Sequence, residues 1–232
     1  MSKPKLVLLP GLDGTGELFT EFVRALPQSI ESEIIRYPQD KRLSYAQLLS
    51  LLRGSISDSE EFVLVAESFS TPLAVKFAAE NPSSLRAVVL CAGFVASPLG
   101  RWKSRAGQAI APLLFRLPLL SSGARFFLTG TDDPKLREKV REAISSVRPV
   151  VLVDRLRSVL GCDVRNDVEK ITVPLLYLRA SRDRLVGSDC VEEIKRRNPL
   201  LLQVQVIDGP HLLLQTKAQQ ATEVIKRFIE TL

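Results

Sequence analysis

The only histidine in the chain, His211, lies in the string Ile207-Asp208-Gly209-Pro210-His211. Upstream of it stand Ser68, within Val65-Ala66-Glu67-Ser68-Phe69-Ser70, and Asp183, within Arg179-Ala180-Ser181-Arg182-Asp183-Arg184. These three residue types can form one chemical unit. A hydroxyl acts as nucleophile, an imidazole takes and returns its proton, and a carboxylate fixes the imidazole tautomer and stabilises its charged form. Each of the three follows a short apolar run that reads as a buried strand. If the unit exists, His211 must be its base, because no other imidazole is present.

Ser68 stands between a strand and a helix, where a tight turn lifts a hydroxyl clear of the backbone. Such turns usually read Gly-x-Ser-x-Gly, because small neighbours let strand and helix cross closely around a strained nucleophile. Here Ala66 and Ser70 replace the two glycines, and both are small. Ser70 is a competing nucleophile, disfavoured because it lies half a helical turn further in. A simpler reading of Ser68 is a helix cap. Among the acids, Asp189 reads as the start of a helix, and Asp163 and Asp167 precede a strand, which leaves Asp183 best placed.

A third element follows the first apolar run: Leu9-Pro10-Gly11-Leu12-Asp13-Gly14-Thr15-Gly16. A phosphate-cradling loop is one reading, since three glycines precede a helix. However, the order is Gly-x-x-Gly-x-Gly, not the dinucleotide Gly-x-Gly-x-x-Gly, and no Lys-Ser/Thr follows as in a P-loop. The better use is an oxyanion hole, with the backbone N–H groups of Leu12 and Phe69 facing a developing negative oxygen. Loss of one such donor typically costs on the order of a hundredfold in rate or more.

The elements that must position these residues alternate along the chain. Strands are expected at Lys5–Leu9, Glu33–Tyr37, Phe62–Ala66, Leu85–Cys91, Pro174–Ala180 and Leu201–Ile207. Helices are expected at Glu17–Leu26, from Tyr45 to Ile56 with Ser44 as N-cap, at Phe69–Glu80, near Asp189–Arg197, and from Gln215 to Ile229. Near-continuous apolar strands between helices indicate a parallel sheet covered on both faces. The rhythm breaks between residues 93 and 166, where several short proline-punctuated helices are expected. This predicts an α/β core of about six parallel strands, residues 1–92 and 167–232, with a helical cap, 93–166, inserted after the fourth strand. Ligands of such sheets bind beyond the carboxyl ends of the strands, where Ser68, Asp183 and His211 all fall.

At 45% hydrophobic and 25% charged residues, the composition is that of an ordinary globular protein. The opening run Leu6-Val7-Leu8-Leu9 is too short for a signal-peptide core or a membrane span. Cys91, Cys162 and Cys190 lack metal-ligand spacing and read as free thiols, so a cytoplasmic location is expected, with no metal or organic cofactor. The net charge of +6 is unevenly placed: thirteen basic and six acidic residues fall between 101 and 165, giving +7 there and −1 elsewhere. That segment is either a solvated helical surface or an attractor of anionic partners. Nucleic acid is not expected, since no recognition motif and little aromatic interleaving accompany the charge. The apolar stretches 109–115 and 126–128 could line an acyl pocket or simply bury the cap against the sheet.

The serine–acid–histidine order, the turn at Ser68 and the glycine-rich first loop together resemble the α/β-hydrolase superfamily over essentially the whole chain. The family commonly has His-Gly in that loop, where this chain has Pro10-Gly11. The string Leu-Pro-Gly-Leu-Asp-Gly-Thr-Gly is also similar to the opening of plant esterase/lipase/thioesterase-type acyltransferases. In length the chain is similar to compact bacterial carboxylesterases, including the pimeloyl-acyl carrier protein methyl ester esterases. The resemblance implies a serine esterase with Ser68 as nucleophile, Asp183 and His211 as its partners, and Leu12 and Phe69 as oxyanion-hole donors. It also implies an acidic acyl carrier protein docking on the basic cap. Thioester cleavage or acyl transfer by the same triad, and a binding protein that has lost the chemistry, are the alternatives.

Overall fold

The computed structural model describes residues 4–57, 59–98 and 133–232. Six strands form one parallel sheet: β1 (Lys5–Leu9), β2 (Ser32–Ile34), β3 (Phe62–Glu67), β4 (Leu85–Cys91), β5 (Leu175–Ala180) and β6 (Leu202–Ile207), in the order β2-β1-β3-β4-β5-β6. Every residue of β3 is buried, as expected of a strand covered on both faces. Alternate residues feed two separate cores. Leu6, Leu8, Val63 and Val65 face one, and Val7, Leu9, Leu64 and Ala66 the other.

The first core is closed by α1 (Thr20–Ala25) and α9 (Ala218–Ile229), which contribute Phe22, Ile225 and Phe228. The second is closed by α2 (Tyr45–Ser55), α3 (Thr71–Ala78) and α7 (Ser188–Arg197), through Leu48, Leu52, Leu73, Val191 and Ile194. Fully burying a side chain of this size contributes about 1.5–3 kcal/mol. These helices therefore hold the sheet from both sides, and its carboxyl edge is left for chemistry.

After β4 the described chain resumes with α4 (Pro134–Ser145), α5 (Pro149–Leu160) and the short α6 (Arg165–Val168). Leu136, Val140 and Ala143 of α4 pack on Leu18 and against Leu212, next to His211. Val151 and Leu152 of α5 pack against Leu12. Both helices thus lie over the sheet edge that carries the candidate residues. The apolar stretches 109–115 and 126–128, and the basic residues Arg101, Lys103, Arg105, Arg116 and Arg125, lie outside the described residues.

Several elements differ from expectation in length. β2 ends at Ile34; the Ile35 N–H makes a last bond to the Leu8 carbonyl of β1 at 3.0 Å, and the chain then turns to the first loop, where the Tyr37 N–H donates to the Gly14 carbonyl at 2.8 Å. The helix expected at Glu17–Leu26 begins as a 3-10 turn over Glu17–Phe19, and the one expected at Phe69–Glu80 as a 3-10 turn over Ser68–Ser70. The last expected helix is two: α8 (Leu213–Thr216) and α9, separated where Lys217 turns to φ −130°. Ser44 caps α2 as expected, in a reciprocal capping box with Gln47. The three cysteines are free and buried. Among the described residues, no helix is long and apolar enough to cross a membrane, and no group of metal-ligating side chains is assembled.

Candidate active site

The strand order reverses between β1 and β3, because β2 lies on one side of β1 and all later strands on the other. Such a switch point opens a crevice at the carboxyl ends of the two strands. The Pro10–Gly16 loop leaves β1 there, and the Ser68 turn leaves β3 there. Ser68 has φ 47°, a left-handed conformation unfavourable for a side chain bearing a Cβ. Ala66 and Ser70 are both fully buried, which is how a turn without either glycine still brings strand and helix together.

His211 Nε2 lies 2.9 Å from Ser68 Oγ, and its Nδ1 lies 2.8 Å from Asp183 Oδ2. The other oxygen of Asp183 accepts the backbone N–H groups of Leu185 (2.8 Å) and Val186 (2.9 Å). Burial pushes the Asp183 carboxyl up, but the hydrogen bond and charge of His211 and the two backbone donors outweigh it. The group lies below the usual carboxylate range. The loops bearing Asp183 and His211 are joined by Ser181 and Arg182, whose side chains both donate to Asp208. The backbone adds Arg182 N–H to the Gly209 carbonyl at 3.0 Å.

Ser70, the competing hydroxyl, is engaged elsewhere. It donates to the Pro10 carbonyl and accepts from the Tyr37 hydroxyl at 2.6 Å. Of the rival acids, Asp163 pairs with Arg165, Asp167 pairs with Lys76 and Lys170, and Asp189 lies in the first turn of α7.

Leu12 stands on the loop after β1 and Phe69 in the 3-10 turn just after Ser68. Their carbonyls are held. The Tyr45 hydroxyl donates to the Phe69 carbonyl at 2.8 Å while its ring stacks on the Phe69 ring at 5.1 Å. Arg155 of α5 donates through Nη1 to the Leu12 carbonyl at 2.9 Å and also to that of Asp13, and through Nη2 to the Pro38 carbonyl. Arg155 is only 2% exposed, and its guanidinium lies 5.7 Å from the centre of the Tyr37 ring. Burial lowers its pKa, partly offset by Asp13 and Tyr37. Gly14 has φ 67°, and a Cβ there would meet Arg155 Nη1 at 2.6 Å, so this glycine serves close approach of an arginine to the loop.

Sequence reasoning did not identify Arg155, Tyr37 or Tyr45. Their types are ordinary for a helix and for apolar segments, and their partners lie far away in the chain. Glu67 was visible only as a spacer beside Ser68. It is 3% exposed, and burial raises its carboxyl to about 7, against the influence of His211 and Gln215.

Much of the basic charge between residues 133 and 165 is committed within the fold. Lys139 pairs with Glu21, Arg141 with Glu138, Arg157 with Asp154, and Arg165 with Asp163. Among the described residues Lys135, Arg137 and Arg148 form no ion pair.

No family model matches the chain, and no curated protein sequence matches it. Solved structures do. A hydrolase from Oleispira antarctica superposes with a TM-score of 0.83 at 13% identity, covering 99% of this chain and 92% of that one. A thermophilic esterase from Thermogutta terrifontis gives a TM-score of 0.83 at 16% identity, covering 99% and 90%. A bromoperoxidase from Bacillus anthracis gives 0.80 at 18% identity, covering 98% and 92%. Together with the sheet order, these likenesses show that the chain has the α/β-hydrolase fold.

Proposed function

We propose that this chain is a serine hydrolase that cleaves carboxylic esters through an acyl-enzyme. The observation that carries the reading is the continuous chain from Ser68 Oγ to His211 to Asp183, with Ser68 on a strained turn at the sheet switch point. The names of two similar structures, a hydrolase and an esterase, agree with it.

In this reading Ser68 Oγ attacks the ester carbonyl carbon while His211 Nε2 takes the hydroxyl proton. The carbonyl oxygen becomes an oxyanion facing the N–H groups of Leu12 and Phe69. The carbon–oxygen bond to the alcohol then breaks, and Nε2 returns its proton to the departing oxygen. That leaves an acyl group on Oγ. Water attacks the new ester with His211 again as base, and Oγ leaves with the proton restored. Asp183 holds Nδ1–H throughout and stabilises the imidazolium. No step calls for a metal or organic cofactor.

The substrate is an apolar acyl ester, and an anionic acyl carrier protein is the proposed bearer of it. Lys135 and Arg137 on α4 support this, since they lie on a helix packed beside His211 and have no ion-pair partner among the described residues. Thioesters would be handled by the same atoms with a different leaving group.

Ser68→Ala tests the central assignment. The variant should keep the fold by circular dichroism and lose turnover of p-nitrophenyl esters. Retained turnover would refute the nucleophile, and a wild-type protein inert to esters and thioesters alike would favour a silent binding protein.

A further inference from the structure

Glu67 ends β3, immediately before Ser68, and Gln215 lies on α8, four residues after His211. The two side chains meet behind the triad, with Gln215 Nε2 donating to Glu67 Oε2 at 3.1 Å. Both residues are more than nine-tenths buried. The other oxygen of each, Oε1 of Glu67 and Oε1 of Gln215, has no hydrogen-bond partner among the described residues.

An ionised carboxylate only accepts hydrogen bonds, and an amide oxygen only accepts. Two orphaned acceptors in one buried pair are costly and cannot satisfy one another. One proton on the carboxyl would supply the donor that the pair lacks. The groups facing Glu67 point the same way. Asp13 on the first loop and the Cys91 thiol on β4 offer it no positive charge, and among the described residues the imidazole of His211 is the basic side chain that faces it. Glu67 Oε2 and Asp13 Oδ1 lie 3.7 and 3.8 Å from the point where a Cβ on Gly11 would sit. A negative Glu67 would therefore stand beneath the loop whose Leu12 N–H is proposed to face the oxyanion.

We propose that Glu67 and Gln215 form a proton-holding acid–amide pair, which positions the Ser68 turn against the His211 loop and keeps charge out of the space beneath the oxyanion hole. Glu67 is then a positioning residue that works as a neutral acid, a role that rests on the serine-hydrolase reading. The carboxyl raised to about 7 means that it ionises as pH rises through neutrality. Turnover should fall on the alkaline side, because the new charge opposes the oxyanion.

The test compares kcat/KM against pH for an activated ester with the wild type, Glu67→Gln and Glu67→Leu, alongside infrared difference spectra of wild type against Glu67→Gln. Glu67→Gln imitates the neutral acid. It should keep turnover of the wild-type order on the acid side and lose the several-fold alkaline fall, whereas Glu67→Leu should lose at least tenfold throughout. The infrared difference should contain a protonated-carboxyl stretch on the acid side that vanishes as pH rises. An alkaline limb unchanged in Glu67→Gln, a tenfold or larger loss in that variant at every pH, or a carboxylate signal alone in the infrared would each overturn the proposal. Failure of a fluorophosphonate to label wild-type Ser68 would instead sink the hydrolase reading. The infrared result decides the protonation of Glu67 even then.

Discussion

Arg155 on α5 reaches the Leu12 carbonyl at 2.9 Å, joining a helix that lies between β4 and β5 in the chain to the loop after β1. Its guanidinium is almost wholly buried, and three main-chain oxygens accept from it. Removing the donor leaves those oxygens buried and unpaired. Keeping the charge on a shorter head breaks the fork but leaves some donors.

Arg155→Met should therefore destabilise the protein by about 2–4 kcal/mol in urea denaturation and lower kcat more than it raises KM, because the Leu12 loop loses its anchor. Arg155→Lys should recover part of both. Unchanged kcat in a destabilised Arg155→Met would mean that the arginine supports the fold alone.

Gly14→Ala places a Cβ in a left-handed residue and against both Arg155 and the Tyr37 ring, which it would meet at 2.6 and 2.9 Å. A loss of about 1–3 kcal/mol is expected, with a matching fall in the thermal midpoint. An unaltered midpoint would show that the loop relaxes freely, contrary to the packing described.

Asp183→Asn keeps the size of the side chain and removes the charge that holds the His211 tautomer. Turnover should fall by about 10³–10⁴ with little change in KM, the scale such replacements typically reach in triads. The check is kcat for a neutral ester, with folding verified by circular dichroism. A loss below tenfold would remove Asp183 from the mechanism.

The positions of these residues were partly legible from types and order alone. Ser68 and Asp183 stood out because each follows a buried strand, and apolar runs mark strand ends well; His211 follows β6, whose residues Gln203 to Val206 are exposed, and stood out as the one imidazole. Ser44 was legible because capping is local chemistry. Arg155 and Tyr45 were not, since their roles depend on carbonyls more than twenty residues away. The early end of β2 was hidden for a similar reason: Ile35 and Tyr37 are as apolar as a strand requires, but Ile35 makes the last bond to β1 and Tyr37 turns to hold Gly14. The break at Lys217 lies within a pattern whose helical periodicity continues on both sides.

Glu67 has a consequence for stability as well as rate. Its folded carboxyl is raised to about 7 while the unfolded chain has the ordinary value near 4.5, so the native state holds the proton more tightly. Stability from this group is fully present below the unfolded value, falls as pH rises between the two, and levels off above about 7. The total is roughly 3 kcal/mol at most. Urea midpoints measured from acid to alkaline pH should show this fall in the wild type relative to Glu67→Gln. Parallel pH profiles would contradict it.

Lys135 and Arg137 test the carrier. Reversing both to glutamate should weaken turnover of a carrier-linked acyl ester at least tenfold more than that of a neutral ester, and the difference should shrink with added salt. Equal losses would remove the docking role.

Mass spectrometry of the protein after treatment with a fluorophosphonate tests the central claim most directly. A single adduct should form and map to Ser68, and it should be absent in Ser68→Ala and much slower to form in His211→Ala. An adduct on Ser70 or elsewhere, or equal labelling of wild type and Ser68→Ala, would contradict the assignment of Ser68, His211 and Asp183 as one catalytic unit.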